Sequence, residues 1–478
     1  MHPDPALTEL SAREAALRMV RGDLRVADYA QALLARAEAS APFNALIHLD
    51  RDGLLADAAE LDAAPRPHPF TRPLYGVPLA FKDNIDVADL PTTAGSAWMR
   101  GHVPQRSAGV TQRLRTAGAL VLGKTNLHEW CQGVTGHNHS FGPSRNPFNP
   151  TRVTGGSSGG NAALLGLRGT PMAIGTDTGG SVRVPAALCG LVGFRPTVQR
   201  WPHDGLVPIS PTFDTAGVMA RSVDDCVLAD HAVAGGPLQL TATPLAGVRL
   251  GVPEAYFWDD IAPPVAELAH ATLTRLREAG AVLVPCDLAE AGALFQQGAM
   301  SISLYEILPA LAAYFASHGR PFDARALADS IASPDVRPLF ERPLGSDAIT
   351  AAAYAHALHK LRPALQAAYR RCFDAHGIAA LVFPTSPLTA ARIGEDVELT
   401  LRGRPTTAFQ SYIRNTGPAG MAGLPALSLP MGLTREGLPA GLELTGAAGA
   451  DSALLALALG VEAALPAAPR PPRIVSAT

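Results

Sequence analysis

Apolar and polar positions along the 478-residue chain switch repeatedly between helical and strand periods. Residues 8–40 carry apolar side chains at three- and four-residue spacing and predict two helices. Ser11-Ala-Arg-Glu14 fits a capping box at the start of the first. NALIHL (44–49) predicts a strand and GLLADAAELDAA after it a helix. YGVPLAFKDNIDV (75–87) contains a short apolar strand that runs into charge. Residues 110–126 predict helix, glycine turn and strand, and PMAIGTD (171–177) a further buried strand. From about 235 the alternation resumes with GVRLGVPE, a helix over 262–279 and the strand AVLVPC. Residues 290–372 predict a long, mostly helical stretch. IAALVFPTSP (378–387) returns to strand, LPALSLPMGL with AGLELTG predicts a late hairpin, and the proline-rich last dozen residues an extended tail.

Strands alternating with helices predict an α/β fold: one large core of mixed, mostly parallel β-sheet covered by helices on both faces. The expected partition is an N-terminal helical segment (1–70) packed on the core, a section at 71–235 holding the glycine-rich loops, and a remainder (236–478) of the same core. The helical insertion at about 290–372 is where substrate selectivity is expected. Composition narrows the class. The chain is 47% hydrophobic and 17% charged, with net charge -3 and no long single-sign block. That argues against a nucleic-acid track or polybasic membrane anchor. Five scattered cysteines with no CxxC pair predict reduced thiols rather than disulfides or a zinc framework. No signal-peptide pattern opens the chain, and no uncharged apolar run of about 18 residues occurs. A soluble cytoplasmic protein is expected, without nucleic-acid or membrane partners.

Chemistry concentrates in GGSSGGNAALLGLRGTPMAIGTDTGGS (155–181), where Ser157/Ser158 and Ser181 are flanked by glycines. A phosphate-binding P-loop needs Lys-Ser/Thr after its glycines, whereas Asn161-Ala-Ala follows here. Gly155-x-Ser157-x-Gly159 matches a nucleophile elbow, but an elbow follows a buried strand and SRNPFNPTRVT reads as loop. The better reading takes both clusters together. A buried strand delivers Ser181 at its C-terminal end, and Gly179 and Gly180 let successive N–H groups face one oxyanion. A serine nucleophile needs a base. Only three lysines exist (Lys82, Lys124, Lys360), and Lys82 ends the apolar run PLAF, where burial would lower its pKa.

GVPLAFKDN, GGSSGGNAA and GTDTGGSVRVPAALCGLVGFRPT closely resemble the amidase signature family of serine hydrolases. The likeness runs from Leu74 to about Ala234 and resumes at LPALSLPMGLTREGLPAGLEL. It implies the amidase signature fold, with Ser181 as nucleophile, Ser157 as a bridging serine on a cis peptide after Gly156, and Lys82 as general base. It implies oxyanion donors at Thr178, Gly179, Gly180 and Ser181, and an acyl-enzyme intermediate. No cofactor or metal is expected. HEWCQGVTGHNH (128–139) looks metallic, but it lacks HExxH.

By its position relative to Ser157, the resemblance makes Cys131 a pocket residue. Weaker substrate-binding candidates are Trp130, Val134, Phe141, Tyr305, Gln410, Ile413 and Arg414. Asp177 and Arg183 are expected to form a structural ion pair. GLTREGLPAGLELTG and FDTAGVMARSVDD look most like the indoleacetamide and mandelamide hydrolase branch. The expected activity is hydrolysis of a neutral, hydrophobic aryl or arylalkyl amide, the partner being that small molecule. A carbamate, anilide or ester hydrolase and the A subunit of a tRNA-dependent amidotransferase remain alternatives. A homodimer is the default assembly.

Overall fold

The computed structural model describes residues 6–68, 70–395 and 397–472. The end of the expected extended tail, 473–478, lies outside the described residues. Both N-terminal helices form, at Ala12–Arg21 and Val26–Ala39, and the Ser11 hydroxyl accepts the Glu14 N–H at 3.1 Å. The strands are β1 (Leu46–Leu49), β2 (Pro78–Lys82), β3 (Leu120–Thr125), β4 (Arg145–Asn146), β5 (Asn149–Val153), β6 (Met172–Thr176), β7 (Val192–Arg195) and β8 (Ala216–Ala220). After them come β9 (Arg249–Pro253), β10 (Val282–Cys286), β11 (Ala380–Pro384), β12 (Glu398–Leu401), β13 (Arg404–Thr407), β14 (Ala426–Leu433) and β15 (Pro439–Thr445). Among the described residues, eleven strands form one sheet in the order β1-β3-β2-β6-β8-β7-β14-β15-β11-β9-β10. The pairs β4–β5 and β12–β13 stand apart as two-stranded ribbons.

The mixed α/β core expected from the sequence is present, with one refinement. Parallel pairing is confined to two flanks, β3-β2-β6 and β11-β9-β10, and every pairing between β6 and β11 is antiparallel. The physical reason is visible at β14–β15, where a short link can return the chain only antiparallel, without a crossover helix. β11 shows why the strands read as unbroken apolar runs. Ala380 and Val382 join one apolar cluster with Val265, Ala269 and Leu276 of the helix Pro263–Glu278. Leu381 and Phe383 join another with Leu365 and Tyr369 of the helix Arg362–His376. Alternate side chains of one strand therefore meet helices on opposite faces, and neither face is left polar.

The stretch expected to be helical is so, opening with the 28-residue helix Glu290–Ser317. By length and composition this helix could cross a membrane. Here Ala291 and Ile302 pack in one apolar cluster and Ile307, Leu311 and Phe315 in another. Its Glu306 takes the Ser210 and Thr212 hydroxyls, both at 2.5 Å, and the Tyr354 hydroxyl at 3.0 Å. This carboxylate ties the helix to the loop before β8. Two features escaped the sequence pattern. The proline-containing segment before Gly155 forms the β4–β5 ribbon, outside the main sheet, and residues 398–407 form the β12–β13 hairpin.

Candidate active site

β2 and β6 are parallel neighbours, with Ala80 opposite Ala173 and Phe81 opposite Ile174. Their C-terminal ends therefore emerge side by side, at Lys82 and at Thr176. Lys82 is fully buried, its Nζ 2.6 Å from Ser157 Oγ and 2.7 Å from Thr176 Oγ1. Thr176 Oγ1 accepts from the amine and also from Asn84 Nδ2 at 3.2 Å. Burial pulls the Lys82 pKa down; the adjoining Cys131 thiol and the more distant Asp177 and Asp214 oppose this only in part. The other buried lysine behaves differently. Lys124 Nζ sits 3.0 Å from Asp83 Oδ1 and donates to Pro91 O at 2.8 Å, so its charge is paired.

The two serine loops touch. Ser158 N–H donates to Ser181 O at 3.3 Å, and Ser158 Oγ donates to Thr176 O at 3.3 Å, a bracing role. Gly156 makes the turn between them at φ +55°, where a Cβ would run into the Pro185 ring and lie 3.2 Å from Ser181 O. The cis peptide implied for Ser157 is corrected. The described residues contain no cis bond, and positive φ at Gly155 and Gly156 turns the chain instead.

Ser181 opens onto a cavity of about 970 Å³, also lined by Thr178 and Gly179. The backbone N–H groups of Thr178, Gly179, Gly180 and Ser181 donate to no other described residue. The loop that carries them is held by its other atoms. Thr178 Oγ1 donates to Asp214 Oδ1 at 2.6 Å, and Thr416 Oγ1 donates to Gly179 O at 2.6 Å. Asp177 lies beneath, fully buried. Its carboxylate accepts from Arg183 Nε at 3.0 Å, Arg183 Nη2 at 2.9 Å and Val182 N–H at 3.1 Å. Arg183 also pairs with Glu443, and Arg195 with the Asp177 carbonyl and carboxylate. Burial opposes ionisation, but the two guanidiniums hold Asp177 well below the usual carboxylate range. Arg183 is thus turned away from the cavity, as expected of a structural pair.

Of the other sequence candidates, Cys131, Val134, Gln410, Ile413 and Arg414 line the cavity. Trp130, Phe141 and Tyr305 do not, which corrects those three. Trp130 is buried between Trp98 and Phe340, Phe141 lies under the Arg100 guanidinium, and Tyr305 stacks on Tyr354 at 4.2 Å. An aromatic side chain finds enough partners in a core or on a surface, so its presence near a motif says little about which wall it faces. The insertion contributes Phe295, Ala299, Met300 and Ser303 from one face of Glu290–Ser317. The sequence reading missed the β12–β13 hairpin, which adds Val397, Leu401 and Arg404. Its strands are only four residues long and one begins Arg-Pro, too little for a period-two signal.

The histidine-rich segment does structural work. Glu129 Oε2 accepts the N–H groups of Ala332 (3.1 Å) and Ser333 (2.8 Å), and His137 and His139 stack on each other at 4.4 Å. Among the described residues, one group of three possible metal ligands occurs: Asp86, His102 and His318. These already bond one another through Tyr314. Its hydroxyl donates to Asp86 Oδ1 at 2.8 Å and lies 3.0 Å from His102 Nε2, while His318 Nε2 meets Asp86 Oδ2 at 2.9 Å.

The structure thus sets the buried Lys82 amine against Ser157 Oγ, and puts Ser181 with the N–H groups of residues 178–181 at the cavity. The amidase family profile matches residues 28–455. The chain belongs to the amidase family. It is an enzyme of amide hydrolysis, and its relatives agree along nearly the whole length. It is 40% identical to the indoleacetamide hydrolase of Agrobacterium vitis, covering 94% of this chain and 95% of that one. Identity to the mandelamide hydrolase of Pseudomonas putida is 36%, covering 98% and 94%. The fold of this amidase superposes on the peptide amidase of Stenotrophomonas maltophilia with TM-score 0.86 at 31% identity, covering 98% and 99%.

Proposed function

We propose that this amidase hydrolyses the C–N bond of neutral, hydrophobic aryl or arylalkyl amides through an acyl-enzyme on Ser181. Neutral Lys82 takes the proton of Ser157 as Ser157 takes that of Ser181, and Ser181 Oγ bonds to the carbonyl carbon. The N–H groups of residues 178–181 stabilise the oxyanion. On collapse the C–N bond breaks, and the Lys82 ammonium returns its proton through Ser157 to the leaving amine. Water then attacks the ester by the same relay, releasing the acid and restoring Ser181. The observation that carries this reading is the buried Lys82 Nζ, 2.6 Å from Ser157 Oγ and with no carboxylate in contact. Apolar walls from Ile209, Phe213, Phe295, Met300 and Met421 suit an aryl group, as do relatives named for indoleacetamide and mandelamide.

The cavity volume favours a second substrate class. About 970 Å³ is near the upper end for small-molecule sites and exceeds what a primary aryl amide fills. Anilides or aryl carbamates would use the surplus for the group leaving with the amine. The test is a matched panel of aryl amides, anilides, carbamates and esters, with fluorophosphonate labelling and peptide mapping. Labelling confined to the peptide containing Ser181, with turnover led by aryl amides, supports the proposal. Labelling elsewhere removes the nucleophile assignment.

A further inference from the structure

The strip Cys131–Thr135 forms one wall of the cavity. At its near end Cys131 adjoins Lys82, and two residues further on lies Gly133, at most about 7 Å along the chain. Gly133 packs directly on the His128 ring, so closely that a Cβ there would overlap it. The same Nε2 end of the ring lies 3.1 Å from Asp335 Oδ2. Asp335 also lines the cavity, its side chain 31% exposed. Its loop is fixed from beneath, because Glu129 holds the N–H groups of Ala332 and Ser333. The metallic-looking His128-Glu129 pair thus builds a platform that presents one carboxylate to the cavity.

The other charged groups on the cavity wall are already engaged. Asp260 pairs with Arg404, and Arg414 donates to the Asp259 carbonyl and lies over the Tyr256 ring at 4.8 Å. Asp335 differs: its contact with His128 Nε2 is not a well-aligned hydrogen bond, and a carboxylate offers about four lone-pair sites. The pair with His128 holds its pKa below the usual value against the effect of burial, so it stays an acceptor at neutral pH.

We infer that Asp335 is a substrate-recognition residue that accepts a hydrogen bond from a ring N–H on the aryl group, selecting nitrogen heterocycles such as an indole over rings without a donor. This rests on the aryl-amide reading above. It assigns the donor end of the substrate to the Asp335 wall, while the amide carbon lies at Ser181.

The test uses three probes on the full-length enzyme: indoleacetamide, its N-methylindole analogue and naphthylacetamide. A hydrogen bond to a charged group corresponds to about a 10- to 100-fold effect. Wild type should prefer the ring N–H substrate over its N-methyl analogue by that factor in kcat/KM. Asp335→Ala should bring the ratio to within about threefold, and Asp335→Asn should retain part of the preference. The ratio is internal to each variant, so a general loss of activity does not imitate the effect. If Asp335→Ala does not fold, the Asn variant decides. Equal ratios in wild type and the folded variants overturn the assignment while leaving aryl-amide hydrolysis standing. No turnover of any probe by wild type defeats the aryl-amide reading and this inference with it.

Discussion

Replacing Lys82 by Met separates the proposed chemistry from the fold. The substitution keeps an unbranched side chain of similar length and removes the amine. Ser157 Oγ loses its neighbour at 2.6 Å and Thr176 Oγ1 loses one at 2.7 Å, but Thr176 keeps Asn84. A buried hydroxyl left without a partner costs about 1–3 kcal/mol. Against that, a fully buried amine whose charged form is disfavoured has been replaced by an apolar group, so stability should change by no more than about 2 kcal/mol either way. The rate should respond far more. General-base transfer supplies about 10²–10⁴-fold, and residues acting as one relay lose more than a single term when one is removed. A fall in kcat of at least about 10³-fold is expected, or about 4 kcal/mol in the barrier. Stopped-flow acylation with a chromogenic aryl amide reads the rate, and urea unfolding reads the stability. A folded Lys82→Met enzyme within tenfold of wild type would refute the relay.

Other expectations follow from the same geometry. Because burial lowers the Lys82 pKa, the active, neutral amine is lost as pH falls through that value, so kcat/KM should decline towards acid; a flat profile down to about pH 4 contradicts it. Asp214 accepts the Thr178 hydroxyl and the N–H groups of Ile209 and Ser210, and burial raises its pKa to about 6. A folded-state pKa above the unfolded one means the folded protein binds the extra proton. Its contribution to stability should therefore fall as pH rises from about 4 to about 6 and then level off. Asp214→Asn should abolish that slope in urea titrations and lower kcat about tenfold, since with its oxygen on the Ile209 and Ser210 N–H groups its N–H₂ would face the Thr178 hydroxyl, which donates to Asp214 in the wild type. Arg183→Met leaves Glu443 without its guanidinium and Asp177 with Arg195 alone, and a loss of about 3–5 kcal/mol is expected by urea unfolding. Gly156→Ala should impair folding or acylation, because its Cβ would strike the Pro185 ring at a left-handed φ; wild-type kinetics in this variant would contradict the close loop contact.

Local pattern carried much of this protein. The capping box at Ser11, the buried strands ending at Lys82 and Thr176, the late hairpin and the serine loops are all legible, because each depends on neighbours within a few residues. So was the pairing of Asp177 with Arg183, six positions apart. What the chain alone did not disclose is which walls meet. Phe295, Asp335 and Arg404 come to one cavity from three separate segments, and each has the composition of an ordinary core, loop or surface residue. Trp130, Phe141 and Tyr305 show the converse, being plausible by position yet facing elsewhere. The sequence determined the amidase-family motifs, since each is a short run of neighbouring residues. The tertiary structure decided the substrate's surroundings, because cavity shape depends on long-range packing that no local period encodes.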